Sequence, residues 1–177
     1  MSSIYYYLIN IILNEIIPET KIAISNGNKI FGAAILKKKD FTTICIGTNK
    51  EINNPLWHGE ISVLNDFYNI PSEKRPISKD CIFLSTHEPC SLCLSAITWS
   101  GFDNFYYFFP YSDTENKFNI PHDLKILKEI FNIDKGNYNK ENIYWKSYSI
   151  FKNIHLLNKP EKSELTEKIK RIIKIYN

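Results

Sequence analysis

Two unbroken apolar runs, "CIFLS" (Cys81 to Ser85) and "FYYFFP" (Phe105 to Pro110), flank a stretch with the length and composition of a helix, "CSLCLSAITW". A strand without polar alternation offers no face to water, so both runs have to be covered on two sides. Pro89 stands at the opening turn of the intervening helix and Gly101 where it should stop. Strand, helix and strand in this order predict a parallel pair joined by a right-handed crossover. Upstream, Ile30 to Leu36 and Thr42 to Gly47 read as an antiparallel hairpin, with the charged run Lys37 to Asp40 as its solvated turn. The sheet is therefore expected to be mixed.

Helical spacing of Tyr5, Leu8, Ile9, Ile12, Leu13 and Ile16 predicts an N-terminal helix over residues 1–20, broken by Pro18 and the "SNGN" cluster that follows. Trp57 to Tyr68 reads as a second helix, with Asn53, Asn54 and Pro55 to end the preceding strand and cap the start. Pro121 opens another, with Leu124, Leu127, Ile130 and Phe131 on one side, and Asn142 to Phe151 fits strand and helix equally. The last segment carries Leu165, Ile169, Ile172, Ile173 and Tyr176 on one face, with glutamates early and basic residues late, as the helix dipole favours. A chain of 177 residues, 44% hydrophobic, supports one well-buried core, so a single domain over 1–177 is expected.

Charge and cysteine usage narrow the function classes. A net charge of +3 from nearly balanced acids and bases neither demands nor excludes a nucleic-acid partner. The apolar start lacks a basic leader, is interrupted by Asn10, Asn14 and Glu15 and is too short to span a bilayer. A cytoplasmic protein with no membrane partner is expected, and its four cysteines, Cys45, Cys81, Cys90 and Cys93, should be free or metal-bound rather than bridged.

Cys90 and Cys93 are one turn apart at a helix start, where the dipole favours thiolates, and thiolates favour a soft metal. A four-cysteine structural zinc would need a second pair, and Cys45 and Cys81 stand in separate strands. His58 supplies the missing donor. One His and two Cys leave a fourth zinc position for water, as in catalytic sites, and the metal lowers the pKa of that water toward ~7. Glu60 is near enough to move its proton without binding the metal. Alone, His58 would read as an ordinary helix-start histidine and Glu60 as a solvated carboxylate. Together with Pro-Cys-x-x-Cys they form the H-x-E, P-C-x-x-C signature of zinc deaminases.

From about Phe31 to Phe109 the chain resembles the cytidine deaminase-like superfamily, in the branch holding fungal-type cytosine deaminases, guanine deaminases and tRNA adenosine deaminases. The stretches that carry the likeness are "FGAAI", "GTN" ending at Asn49, "NPLWH", "HGEIS" and "EPCSLCLSAITW". "HGEIS" is similar to the cytosine deaminase form, with Gly59 where most relatives carry Ala. "EPCSLCLSAITW" is similar to the guanine and tRNA adenosine deaminase form, with Ser95 in place of Gly. The likeness implies a three-layer α/β/α fold around a five-stranded mixed sheet. It implies Zn2+ on His58, Cys90 and Cys93, proton transfer by Glu60, and Asn49 at the polar edge of the substrate ring. Residues 110–177 form a divergent C-terminal region, in which 113–130 is faintly similar to the segment by which guanine deaminases cover the base.

The expected reaction is hydrolytic deamination of a free nucleobase or nucleoside, with cytosine or guanine favoured and ammonia released. Phe31 and Trp57 are candidate pocket walls, whereas the aromatics of 105–109 are expected in the core. Glu88 reads as an N-terminal helix carboxylate placed by the dipole. The alternatives are deamination of adenosine or cytidine within RNA or single-stranded DNA, using the basic residues of the last helix, and a binding module that keeps zinc for stability. The resemblance also implies a homodimer.

Overall fold

In the computed structural model, residues 3–116 and 121–176 are described. Every residue of β3 (Cys81–His87) is buried, as its unbroken apolar character requires. Antiparallel to it lies β1 (Gly32–Lys37), which also pairs antiparallel with β2 (Thr43–Thr48). On the other side β4 (Asn104–Phe109) and then β5 (Lys146–Ser149) run parallel to it. The result is a five-stranded mixed sheet in the order β2-β1-β3-β4-β5.

Side-chain alternation splits the core in two. Ala33, Ile35, Phe83 and Phe105 point to one face, where they meet Val63 and Phe67 of α3 (Gly59–Asn69) and Leu94 and Ile97 of α4 (Ser91–Trp99). Ala34, Leu36, Ile82 and Leu84 point to the other, against an N-terminal helix and α8 (Lys159–Tyr176), which buries Leu165, Ile169 and Ile172. Each fully buried large side chain contributes about 1.5–3 kcal/mol. These two cores make the fold a three-layer α/β/α sandwich.

Pro18 does not end the N-terminal helix. The helical path comprises α1 (Ile4–Ile11), a π turn over Ile12–Ile16 and α2 (Ile17–Ser25). Proline has no N–H to donate and its ring clashes with the carbonyl four residues back. The π turn, in which the Ile17 N–H reaches Ile12 O, widens the helix just before the ring and relieves that conflict.

In the C-terminal region, α5 (Tyr111–Asn116) precedes α6 (His122–Phe131), and residues 117–120 lie outside the described residues. Of the four apolar residues expected inside on α6, Leu127 alone is fully buried, while Ile130 and Phe131 are 70% and 52% exposed. The final turn of α6 thus stands clear of the core. The undecided stretch 142–151 is both things in succession: β5, then α7 (Ile150–Ile154), capped by the Ser149 hydroxyl accepting from Lys152 N–H. Tyr148 of β5 stacks on Tyr106 of β4 with ring centroids 4.6 Å apart, a cross-strand pairing that no local pattern could announce.

Helix α3 lies unusually close to the sheet. A Cβ at Gly47 would fall 2.3 Å from Val63 N and 2.7 Å from Gly59 O, and one at Gly59 would fall 2.9 Å from Phe31 O. Backbone atoms cannot step aside as a flexible side chain can. Gly47→Ala is expected to destabilise the fold by about 1–3 kcal/mol, read as a lower urea midpoint with unchanged m-value.

His87, at the end of β3, packs against the rings of Phe31, Phe109 and Tyr176. Burial lowers its pKa from 6.5 to about 3, so the folded chain keeps it neutral while the unfolded chain protonates below about 6.5. Stability is therefore lost as pH falls from about 6.5 toward 3, at up to about 1.4 kcal/mol per pH unit from this group. His87→Leu should flatten the fall of stability between pH 6.5 and 4.5, measured by urea titration at each pH.

Candidate metal centre

Two helix N-termini meet at the C-terminal end of β3, the central strand. His58 is the N-cap residue of α3 and Cys90 that of α4, and neither side chain caps its own helix. Asn54, expected as a cap, instead accepts from the Leu56 N–H within the loop. Freed from capping, the His58 ring turns its Nδ1 to 3.4 Å from Cys90 Sγ and 3.6 Å from Cys93 Sγ, and the two sulfurs are 3.6 Å apart. Tetrahedral zinc with ligand bonds of about 2.0–2.3 Å requires donors about 3.5–3.8 Å apart. The three donor atoms thus fit that ion, and among the described residues this is the group able to hold a metal.

Protonation in the metal-free chain follows from the same contacts. The hydrogen bond from Cys93, and then His58, draw Cys90 down to about 4 against the cost of burial. Its hydrogen bond with Cys90 raises His58 to about 9. Burial first, then donation to Cys90, holds Cys93 well above the ordinary thiol range, so a cation is needed to bring its proton off. Glu60, on the first turn of α3, accepts from Ser85 Oγ at 2.8 Å and has its other oxygen 3.4 Å from Cys93 Sγ. Burial, followed by the charge of Cys90, raises its carboxyl to about 7.

A cleft of about 450 Å³ opens above these groups, and its described lining includes Phe31, His58, Glu60, His87 and Cys90. Phe31, expected as a pocket wall, lines this cleft. Trp57 is 39% exposed and is not among the described lining residues. Asn49 is fully buried, and its amide is occupied: the oxygen accepts from the Lys29 and Glu51 N–H groups and the nitrogen donates to Glu51 Oε1 at 2.9 Å. Glu51, which this amide holds, lines the cleft.

Three acidic residues at the cleft escape a reading by sequence alone. Glu51 sits in a loop with no periodic pattern. Asp123, from the segment 113–130, lines the cleft opposite the sheet, and burial raises its carboxyl to about 6; in the sequence it is an ordinary acidic residue at a helix start. Glu88 is no helix-dipole carboxylate. It is buried, accepts from Tyr138 Oη at 2.8 Å and Tyr111 N–H at 3.0 Å, and pairs with the Lys140 ammonium. Its partners come from a segment 23 to 52 residues downstream, which explains why spacing could not show them.

Residues 12–109 match the family model described as the cytidine and deoxycytidylate deaminase zinc-binding region. The chain is 32% identical over 97 residues to a tRNA-specific adenosine deaminase of Rickettsia bellii, covering 54% of this chain and 66% of the relative. It is also 32% identical over 92 residues to a cytosine deaminase of Candida albicans, covering 51% and 59%. Both matches thus span less than two thirds of the relatives' length. In fold it is similar to a guanine deaminase from Nitrosomonas europaea, with TM-score 0.57, 17% identity and coverage of 96% and 86%. A guanine deaminase from Bacillus subtilis gives TM-score 0.55 at 22% identity, covering 90% and 91%.

Purified chain should carry one equivalent of zinc by elemental analysis. Cys93→Ser should retain less than a tenth of it under the same dialysis, because a hydroxyl is a far poorer ligand than a thiolate.

Proposed function

The chain belongs to the cytidine and deoxycytidylate deaminase zinc-binding family, and we propose that it hydrolytically deaminates a free nucleobase or nucleoside, cytosine or guanine by preference, releasing ammonia. The observation that carries this reading is a buried carboxylate, Glu60, left outside a donor set of three at the floor of a cleft. A zinc held for stability alone takes a fourth protein ligand and has no use for such a group.

In this reading His58, Cys90 and Cys93 hold zinc, which supplies a Lewis acid that makes water acidic enough to act as a nucleophile near neutral pH. Glu60 moves the protons. Ser85 pins Oε1, which leaves Oε2 to take one proton from the attacking water and deliver it to a ring nitrogen, and then to take the second from the added hydroxyl and deliver it to the leaving amine as the C–N bond breaks. Phe31 provides an apolar face for the ring. Asp123 accepts from the ring's N–H edge across the cleft, and Asn49 serves the substrate indirectly by fixing Glu51.

Acidic walls also bear on substrate class. Glu51 and Asp123 face the same cleft; Lys29 offsets the charge of Glu51, and the Asp123 carboxylate favours an uncharged base or nucleoside over a phosphorylated one. Two of the lysines of α8 are paired, Lys168 with Glu164 and Lys170 with Glu167, as on a solvated helix face. No helix among the described residues is long and apolar enough to cross a membrane. Reduced thiolate ligands suit a cytoplasmic setting, and the family resemblance favours a homodimer.

Ammonia release should be assayed over cytosine, guanine, adenine, their nucleosides, and short RNA and single-stranded DNA. We expect turnover of a free base or nucleoside, insensitive to salt, and a loss of about 10²–10⁴-fold in kcat for Glu60→Gln at unchanged zinc content. Asp123→Asn should shift base preference or raise KM by about tenfold or more. Unaltered kcat in Glu60→Gln would remove the basis of this mechanism, and turnover confined to polynucleotides would reassign the substrate.

A further inference from the structure

The loop from Asn49 to His58 is closed by hydrogen bonds from Lys50 N–H to Trp57 O at 2.8 Å and from Asn53 N–H to Lys50 O at 2.9 Å. This closure returns the chain on itself and brings Glu51 beside the ring of His58. Glu51 Oε1 lies 3.3 Å from His58 Nε2, the nitrogen on the far side of the ring from the two sulfurs. The carboxylate is itself held. Asn49 Nδ2 donates to Oε1 at 2.9 Å and Lys29 Nζ pairs with Oε2 at 2.5 Å. Ile52 N–H also reaches Asn28 Oδ1 at 3.2 Å, tying the same loop to the end of the N-terminal helix.

A neutral imidazole carries one proton, and the nitrogen without it is the one able to bind a metal. An acceptor at Nε2 holds the proton there and leaves the Nδ1 lone pair directed at Cys90 and Cys93. We infer that Glu51 is a positioning residue of the metal centre: its carboxylate, braced by Asn49 and Lys29, fixes the tautomer and ring orientation of His58 and raises the ring's affinity for zinc. The inference rests on the reading of His58, Cys90 and Cys93 as zinc donors. It also gives Asn49 a purpose consistent with its occupied amide. Carboxylate partners of metal-bound histidines typically account for about 10–100-fold in metal affinity.

The test is zinc affinity by competition with a chromophoric chelator on the full chain, beside urea unfolding of the metal-free protein. Glu51→Ala should weaken zinc binding about 10–100-fold with little change in the metal-free unfolding midpoint. Glu51→Gln, which keeps an oxygen able to accept from Nε2–H, should recover part of the loss. Dissociation constants for both variants within about threefold of wild type overturn the role of Glu51 while leaving the metal centre intact. So does a loss in Glu51→Ala that Glu51→Gln does not relieve and that matches a fall in metal-free stability, since that marks a loop brace only. Wild-type chain that takes up no zinc overturns the inference together with the metal reading beneath it.

Discussion

The convergence of two helix N-termini on one point is the constraint that the rest of the structure serves. Helix α3 delivers His58 and Glu60, and α4 delivers Cys90 and Cys93. Their positive ends lower the cost of gathering thiolates there. The convergence depends on how closely α3 can approach the sheet, and the glycines at 47 and 59 set that distance, since a methyl group at either would overlap backbone. The relation is geometric. A helix displaced outward carries its imidazole and carboxylate with it, so the packing of one layer governs whether a donor set forms at all.

The elements that declared themselves in the sequence are those whose chemistry is local. Cys81–His87 and Asn104–Phe109 had to be covered strands because no residue in the apolar runs they contain was free to face water, and the thiol pair could be joined to His58 because H-x-E and P-C-x-x-C together match a known zinc signature. What stayed hidden depends on partners distant in the chain. Pro18 looked like a stop because the widened turn ahead of it leaves no mark in composition. Ile130 and Phe131 followed helical spacing and still lie outside the core, since periodicity gives a face and not what covers it. Glu88 and Asp123 are indistinguishable from solvated acids until the fold encloses them. Asn49 was read for its likeness to a substrate-binding asparagine, and nothing in its own neighbourhood of the sequence announces that Lys29 and Glu51 hold its amide.

The cleft draws its walls from separate parts of the chain. The floor belongs to residues within the family match, the roof to α6, and Glu51 stands at the side. Such a division separates the reaction from the choice of what reacts. Hydrolytic chemistry needs the donors and a proton carrier, which sit on two rigid helices, whereas recognition of a particular ring falls to groups on loops and a peripheral helix.

The buried pairing of Glu88 with Lys140, reinforced by Tyr138 and Tyr111, has a consequence for how this chain can diverge. One end of the pair is a single residue from Pro89 and two from a thiol donor; the other lies beyond α6. An electrostatic rivet of this kind lets the segment between β4 and Lys140 drift, lengthen or change charge while the residues that follow still return to the same place. Specificity can then be rewritten by evolution without re-solving the problem of assembling the hydrolytic core.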